Sequence, residues 1–105
     1  MTINNHYLED LFGSTPETRL LDFMIASDGM TVYNALELAR EIDVSVQRTS
    51  NAAEKLAERN MLNIIKEATK EKRYIRYTKY CLNHNSSIVK NIIVLKDTLK
   101  EATNR

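Results

Sequence analysis

The sequence contains few of the residues that form turns or cross-links. Its 105 residues include one cysteine, one proline, two glycines and no tryptophan. Because one cysteine cannot form an internal disulfide, we expect a reducing, cytoplasmic environment. A β-sandwich needs many tight turns, which glycine and proline favour. The small number of these residues therefore favours a helix-rich single domain.

Long apolar runs are missing as well. No stretch approaches the roughly 20 consecutive apolar residues of a membrane-spanning helix. The first twelve residues, MTINNHYLEDLF, lack the basic and apolar regions of a secretory signal. We therefore expect no membrane partner.

The sequence also lacks the residue patterns of catalytic and metal sites. No spacing brings a nucleophile, a histidine and a carboxylate together, and no glycine-rich loop is present to hold a phosphate. Cys81 and His84 form a C-x-x-H pair, and His6 adds only one more donor where zinc takes about four ligands. We therefore expect no enzymatic activity, no metal and no cofactor.

Charge is abundant but unevenly distributed. The net charge is +1, yet residues 1–44 contain two basic and eight acidic side chains, whereas residues 45–82 contain nine basic and four acidic ones. A basic segment in an otherwise balanced small protein indicates a polyanionic partner that binds that segment.

The first half of the sequence predicts helices with clear start signals. Thr15 and Pro16 are typical of a helix N-terminus, and Asn34 is a good cap for a helix over residues 35–42. Ser45 is a good cap for a longer helix that ends near Arg59. A short helix, a tight turn and a longer helix with a polar face are typical of a helix-turn-helix.

The pattern changes to a period of two after residue 60. Residues 61–67 and 73–82 are rich in β-branched and aromatic side chains and flank a charged tip, residues 68–72; the predicted wing is residues 68–73. These features predict a β-hairpin after the helix-turn-helix. The predicted fold is therefore mainly α with a small β-hairpin, a winged helix-turn-helix within residues 1–82.

Residues 83–105 predict one more helix, with an apolar seam. The seam residues follow spacings of four, three and four, as in a coiled coil; they are Ile88, Ile92, Leu95 and Leu99. A helix this apolar needs a surface to cover it, and we expect a symmetric dimer to provide that surface. We therefore predict a winged helix-turn-helix with an additional C-terminal dimerisation helix.

Parts of the sequence resemble a known family. Residues 34–62, NALELAREIDVSVQRTSNAAEKLAERNML, carry an L-x-x-A-x-x-I-x-V-S run and an L-x-x-x-x-M-L exit into the predicted hairpin. In these motifs the segment resembles the winged helix-turn-helix of small archaeal and bacterial transcriptional regulators. Residues 11–25, LFGSTPETRLLDFMI, resemble the opening of small archaeal members. The resemblance implies the winged-helix fold, a homodimer and double-stranded DNA as the partner.

A winged helix-turn-helix suggests specific contacts with DNA. The exposed side chains early in the 45–59 helix have the chemistry to read base edges in the major groove; they are Gln47, Arg48, Ser50 and Asn51. A second set is expected to meet the phosphate backbone from the helix and the wing. It consists of Ser45, Lys55, Arg59, Lys70, Lys72, Arg73 and Arg76.

These expectations lead to one hypothesis and two alternatives. The hypothesis is a sequence-selective, nucleoid-associated regulator that binds DNA as a homodimer. One alternative is a protein that coats DNA in chromatin or plasmid segregation, and the other is a winged-helix adaptor that binds proteins. The sequence shows no sensor domain, so regulation by occupancy alone and regulation by a ligand in the dimer interface both stay open.

Overall fold

Within the described residues, the fold contains five helices and three short strands. The computed structural model describes residues 7–27, 32–67 and 77–103. In chain order the elements are α1 (Tyr7–Phe12), α2 (Pro16–Ala26), β1 (Tyr33–Asn34), α3 (Ala35–Ile42), α4 (Val46–Glu58), β2 (Leu62–Glu67), β3 (Tyr77–Leu82) and α5 (Ser87–Thr103). A mainly helical chain with one small antiparallel sheet confirms the predicted fold class, which is winged-helix-like.

The N-termini of α3 and α4 are formed by the capping residues that the sequence predicted. The Asn34 side-chain oxygen accepts a hydrogen bond from the Glu37 backbone N–H at 2.8 Å, and the Glu37 carboxylate accepts one from the Asn34 N–H at 2.9 Å. The Ser45 hydroxyl oxygen accepts a bond from the Arg48 N–H at 3.3 Å. Both caps satisfy backbone donors that a helix N-terminus leaves unpaired.

Two residues with positive φ end these helices. Asp43 ends α3 at φ 55°, and Asn60 follows α4 at φ 60°, as predicted for Asn60. After α4, the Met61 N–H donates to the Leu56 carbonyl at 2.9 Å. Aspartate and asparagine tolerate this left-handed backbone better than most residues, which explains why the chain turns at these points without glycine.

The three strands form one antiparallel sheet in the order β1-β3-β2. Strand β2 pairs with β3 from Leu62 opposite Leu82 to Glu67 opposite Tyr77, which confirms the predicted hairpin pairing. Tyr80 and Leu82 are buried on the side of the sheet that faces the helices. The predicted wing, residues 68–73, lies outside the described residues.

The core lies between α2, α3, α4 and the sheet. Leu20 and Met24 of α2 meet Leu38 of α3 and Leu56 of α4 in one buried cluster. This packing fixes the side of α4 that faces the protein and therefore the side that faces solvent.

A buried ion pair attaches α5 to α2. The Lys96 Nζ lies 3.0 Å from Asp22 Oδ1 and also donates to the Asp22 carbonyl at 3.2 Å. The two residues are only 6% and 2% exposed. Asp22 also accepts hydrogen bonds from the N–H groups of Leu8 and Glu9, at 3.0 and 2.9 Å. One carboxylate therefore joins α1, α2 and α5.

The seam predicted on α5 is divided between the core and the surface. Val89 is fully buried, and Ile92 and Leu95 pack against the core cluster. Ile88 is 47% exposed. The helix thus contacts its own domain through a face centred on Val89 and Lys96, which is rotated from the predicted seam.

The buried side of α4 contains a polar group, the hydroxyl of Thr49, whose cost to stability can be tested. Its side chain is fully buried, and its hydroxyl has no hydrogen-bond partner in the described part of the chain. A buried unpaired hydroxyl costs about 1 kcal/mol or more. Thr49→Val is therefore expected to raise the free energy of unfolding by about 1 kcal/mol in urea titrations.

Thr49→Ser is the matched control for that substitution. It keeps the unpaired hydroxyl and removes a methyl group, so it is expected to lower the free energy of unfolding by about 1 kcal/mol. A Thr49→Val protein that is less stable than the parent would show that the hydroxyl has a partner.

Candidate nucleic-acid interface

The candidate interface is the side of α4 that points away from the core. Residues spaced by three and four along the helix are buried; they are Thr49, Ala52, Ala53 and Leu56. The opposite side is polar and solvent-exposed, and its exposed members are Gln47, Arg48, Asn51, Glu54, Lys55, Glu58 and Arg59. The helix therefore presents a continuous polar surface of about three turns.

Three of these residues form the centre of the exposed side. Gln47, Asn51 and Glu54 follow one another at spacings of four and three, which place them in one line along the helix. Among the described residues, none of their side chains has a hydrogen-bond or ion-pair partner. We call these three residues the outward line. Their polar atoms are free to meet a ligand.

A basic flank runs along one side of the outward line. It consists of Arg48, Lys55 and Arg59, which all lie on the side of α4 nearest the start of α2. Arg48 lines a shallow cavity with Thr15 and Pro16, and the other two line a second cavity with Glu17. The flank concentrates three cations next to the outward line, which suits contacts with phosphates.

An acidic groove lies on the other side of the outward line, between α4 and the sheet. It is lined by Glu54 and Glu58 of α4 and by Ile64 and Thr78 of the sheet. Ile64, on the edge strand β2, is 41% exposed. The basic flank therefore lies on one side of the outward line, and the acidic groove, whose rim includes Glu54 of that line, lies on the other.

Arg19 positions the turn before α4. Its Nη1 donates to the Ile42 carbonyl at 2.9 Å and to the Asp43 carbonyl at 3.4 Å. Its Nε donates to Glu9 Oε1 at 3.3 Å and to the Ser14 hydroxyl at 3.2 Å. These bonds satisfy carbonyls at the α3 C-terminus and hold the α3–α4 turn against α2.

The structure separates the predicted base-reading residues. Gln47 and Asn51 lie together on the outward line, whereas Arg48 lies on the basic flank. Ser50 is half-buried, and the Ser45 hydroxyl is occupied as the α4 cap. The roles assigned to these side chains stay predictions.

The remaining predicted contacts fall in two places. Lys55 and Arg59 are exposed on the basic flank. The predicted wing cations lie outside the described residues; they are Lys70, Lys72, Arg73 and Arg76.

Sequence reasoning missed Arg19, Glu54 and Glu58 as functional candidates. Arg19 bonds residues 10 and 23 positions away, so no local pattern marks it. Glu54 and Glu58, unlike Arg19, could have been found from the sequence, because a helical projection of residues 46–58 places them beside Gln47 and Asn51.

The described ranges hold neither a cluster of metal ligands nor a membrane-spanning helix. Within residues 7–27, 32–67 and 77–103, no three His, Cys, Asp or Glu side chains come together as metal ligands do. In the same ranges, no helix has both the length and the apolar character to cross a bilayer.

The arrangement of helices and sheet defines a winged-helix-like fold in which α4 presents a polar, exposed side. A solved structure with a matching fold belongs to a protein from Methanosarcina mazei Go1 described as a possible transcriptional regulator. It matches with a TM-score of 0.59 at 12% sequence identity, over 87% of this chain and 77% of the other. No protein-family model and no curated protein match the sequence. At this identity the likeness shows the fold alone.

Proposed function

We propose that this protein binds double-stranded DNA sequence-selectively and regulates transcription. The observation that carries the proposal is the outward line of α4, whose polar atoms have no partner among the described residues. A major groove about 12 Å wide admits one α-helix, so α4 can lie in it with this line against the bases. The Methanosarcina mazei protein of the same fold supports a regulatory role.

Each part of the surface has a distinct role in this proposal. Gln47 and Asn51 have the amide geometry to pair with adenine, and Arg48 has the fork geometry to pair with guanine. Lys55 and Arg59 meet phosphates beside the groove. The predicted wing, residues 68–73, contacts the adjoining backbone.

The proposal includes a homodimer formed through α5. Ile88 leaves apolar surface exposed, and Ile92, Leu95 and Leu99 of the predicted seam are half-buried, so part of the seam is available to a second copy. A two-fold dimer would place two α4 helices in successive major grooves, about 34 Å apart. The DNA site would then be a palindrome.

Selection from a random duplex library with the purified full chain tests this function. We expect an enriched, two-fold symmetric motif, together with a dimer in sedimentation equilibrium. No enrichment above random sequence would contradict sequence-selective binding. A footprint that spreads as protein concentration rises would indicate DNA coating instead.

The basic flank makes a separate prediction about salt dependence. Replacing Lys55 and Arg59 by alanine is expected to reduce the slope of log affinity against log salt by about two per protomer, one per phosphate contact. Affinity should fall equally for all sequences, as measured by fluorescence anisotropy at several salt concentrations. The control is Lys90→Ala with Lys100→Ala, because both lysines are exposed on α5. Equal slopes for the two double variants would remove the basic flank from the interface.

A further inference from the structure

We infer that Glu54 selects a cytosine in each half of the DNA site. The inference rests on the proposed function and adds a specificity-determining residue to it. Glu54 is exposed, belongs to the outward line with Gln47 and Asn51, and has no partner in the described part of the chain. Its carboxylate is therefore directed to the same ligand as the two amides.

The spacing of the outward line fits three successive base steps. Gln47 and Glu54 are seven residues apart, which is about 10 Å along a helix axis at 1.5 Å per residue. Three base steps of B-DNA rise about 10 Å. Side chains one turn apart on a recognition helix contact neighbouring bases in this way. The position read by Glu54 follows those read by Gln47 and Asn51.

The chemistry of a carboxylate restricts which base it accepts. An ionised carboxylate only accepts hydrogen bonds. In the major groove, cytosine presents an amino donor, whereas guanine presents two acceptors and thymine presents an acceptor and a methyl group. Adenine places an acceptor beside its donor, which repels one carboxylate oxygen. Cytosine is therefore the base that Glu54 favours.

Glu58 provides the matched comparison. It carries the same charge and lines the same acidic groove, but it is the last residue of α4. It lies about 16 Å from Gln47 along the helix axis, and a straight helix has diverged from the curved groove at that distance. Glu58 therefore affects binding through its charge alone.

The experiment is library selection with the parent, Glu54→Gln and Glu58→Gln proteins. We expect the parent motif to contain a cytosine next to the adenine-reading positions. Glu54→Gln should change that position alone to adenine, because glutamine pairs with adenine. In anisotropy measurements the cytosine-to-adenine affinity ratio should shift by about 5- to 10-fold or more per half-site. Glu58→Gln should raise affinity for all sequences and leave the motif unchanged.

The outcomes separate this inference from the function on which it rests. If Glu54→Gln leaves the selected motif unchanged, the role of Glu54 is wrong, while the proposal of sequence-selective DNA binding still stands. The same is true if Glu58→Gln alters the motif as much as Glu54→Gln does. A parent protein that selects no motif overturns the proposed function itself, and the role of Glu54 with it. Thermal unfolding of each variant checks that the exposed substitutions preserve the fold.

Discussion

Asp22→Asn is expected to lower the free energy of unfolding by about 3 kcal/mol. The substitution leaves the Lys96 ammonium buried at 6% exposure without its carboxylate partner. It also weakens the bonds that Asp22 accepts from the backbone of α1, a helix of six residues that is too short to be stable alone. Urea titration measures the loss, and the melting temperature should fall by about 12 °C or more.

A double variant separates the charge from the packing. Asp22→Asn with Lys96→Met removes both charges and keeps most of the side-chain volume, so it should be more stable than Asp22→Asn alone. Asp97→Asn is the surface control, because Asp97 is exposed on the same helix as Lys96; it should change stability by about 0.5 kcal/mol or less. A double variant less stable than Asp22→Asn would show that the ion pair is not the cause.

Gln47→Ala combined with Asn51→Ala is expected to cost at least about 30-fold in affinity for the selected DNA site. Each amide that pairs with adenine contributes about 1–3 kcal/mol of discrimination, so two contacts give about 2 kcal/mol or more per half-site. Binding to unrelated duplexes should stay the same, because that affinity depends on phosphate contacts. Competition anisotropy with specific and scrambled duplexes measures both quantities.

The control for this double variant is Asn85→Ala. Asn85 is an exposed asparagine that precedes α5 and does not belong to α4. It should leave both affinities unchanged, and all variants should unfold at the parent temperature because the substituted side chains are exposed. Equal losses on specific and scrambled DNA would mean that Gln47 and Asn51 do not read bases. An unchanged affinity for the specific site would support the adaptor alternative, in which α4 binds a protein.

Local signals explain why so much of the fold followed from sequence. Asn34 and Ser45 begin helices because their side chains bond backbone groups three residues away, and Asn60 turns the chain through its own φ. The change from helical to alternating periodicity at residue 61 likewise located the strands. The resemblance to winged-helix regulators agrees with the fold, while membership of that family stays a prediction.

The candidate site was only partly predictable. The polar side of α4 is set by helical periodicity, so Gln47 and Asn51 could be chosen from sequence. Arg48 was grouped with them because of its chemistry, and its place in the helix puts it on the adjoining basic flank; its base-reading role stays a prediction. The seam on α5 is shared between the core, which Ile92 and Leu95 contact, and the surface, where Ile88 is exposed, because apolar spacing does not say which face meets the core. Its role in dimerisation stays a prediction.

The sequence by itself determined the helices, strands and turns, since each depends on residues a few positions apart. Only the tertiary structure decided how α5 is attached, because Lys96 and Asp22 are 74 residues apart. Because the pair is buried, losing either partner leaves an uncompensated charge and is costly, yet a lysine and an aspartate on separate helices look like ordinary surface charges in sequence. The tertiary structure likewise decided that Arg19 holds the turn before α4, because its carbonyl partners approach only after α2 and α3 have packed.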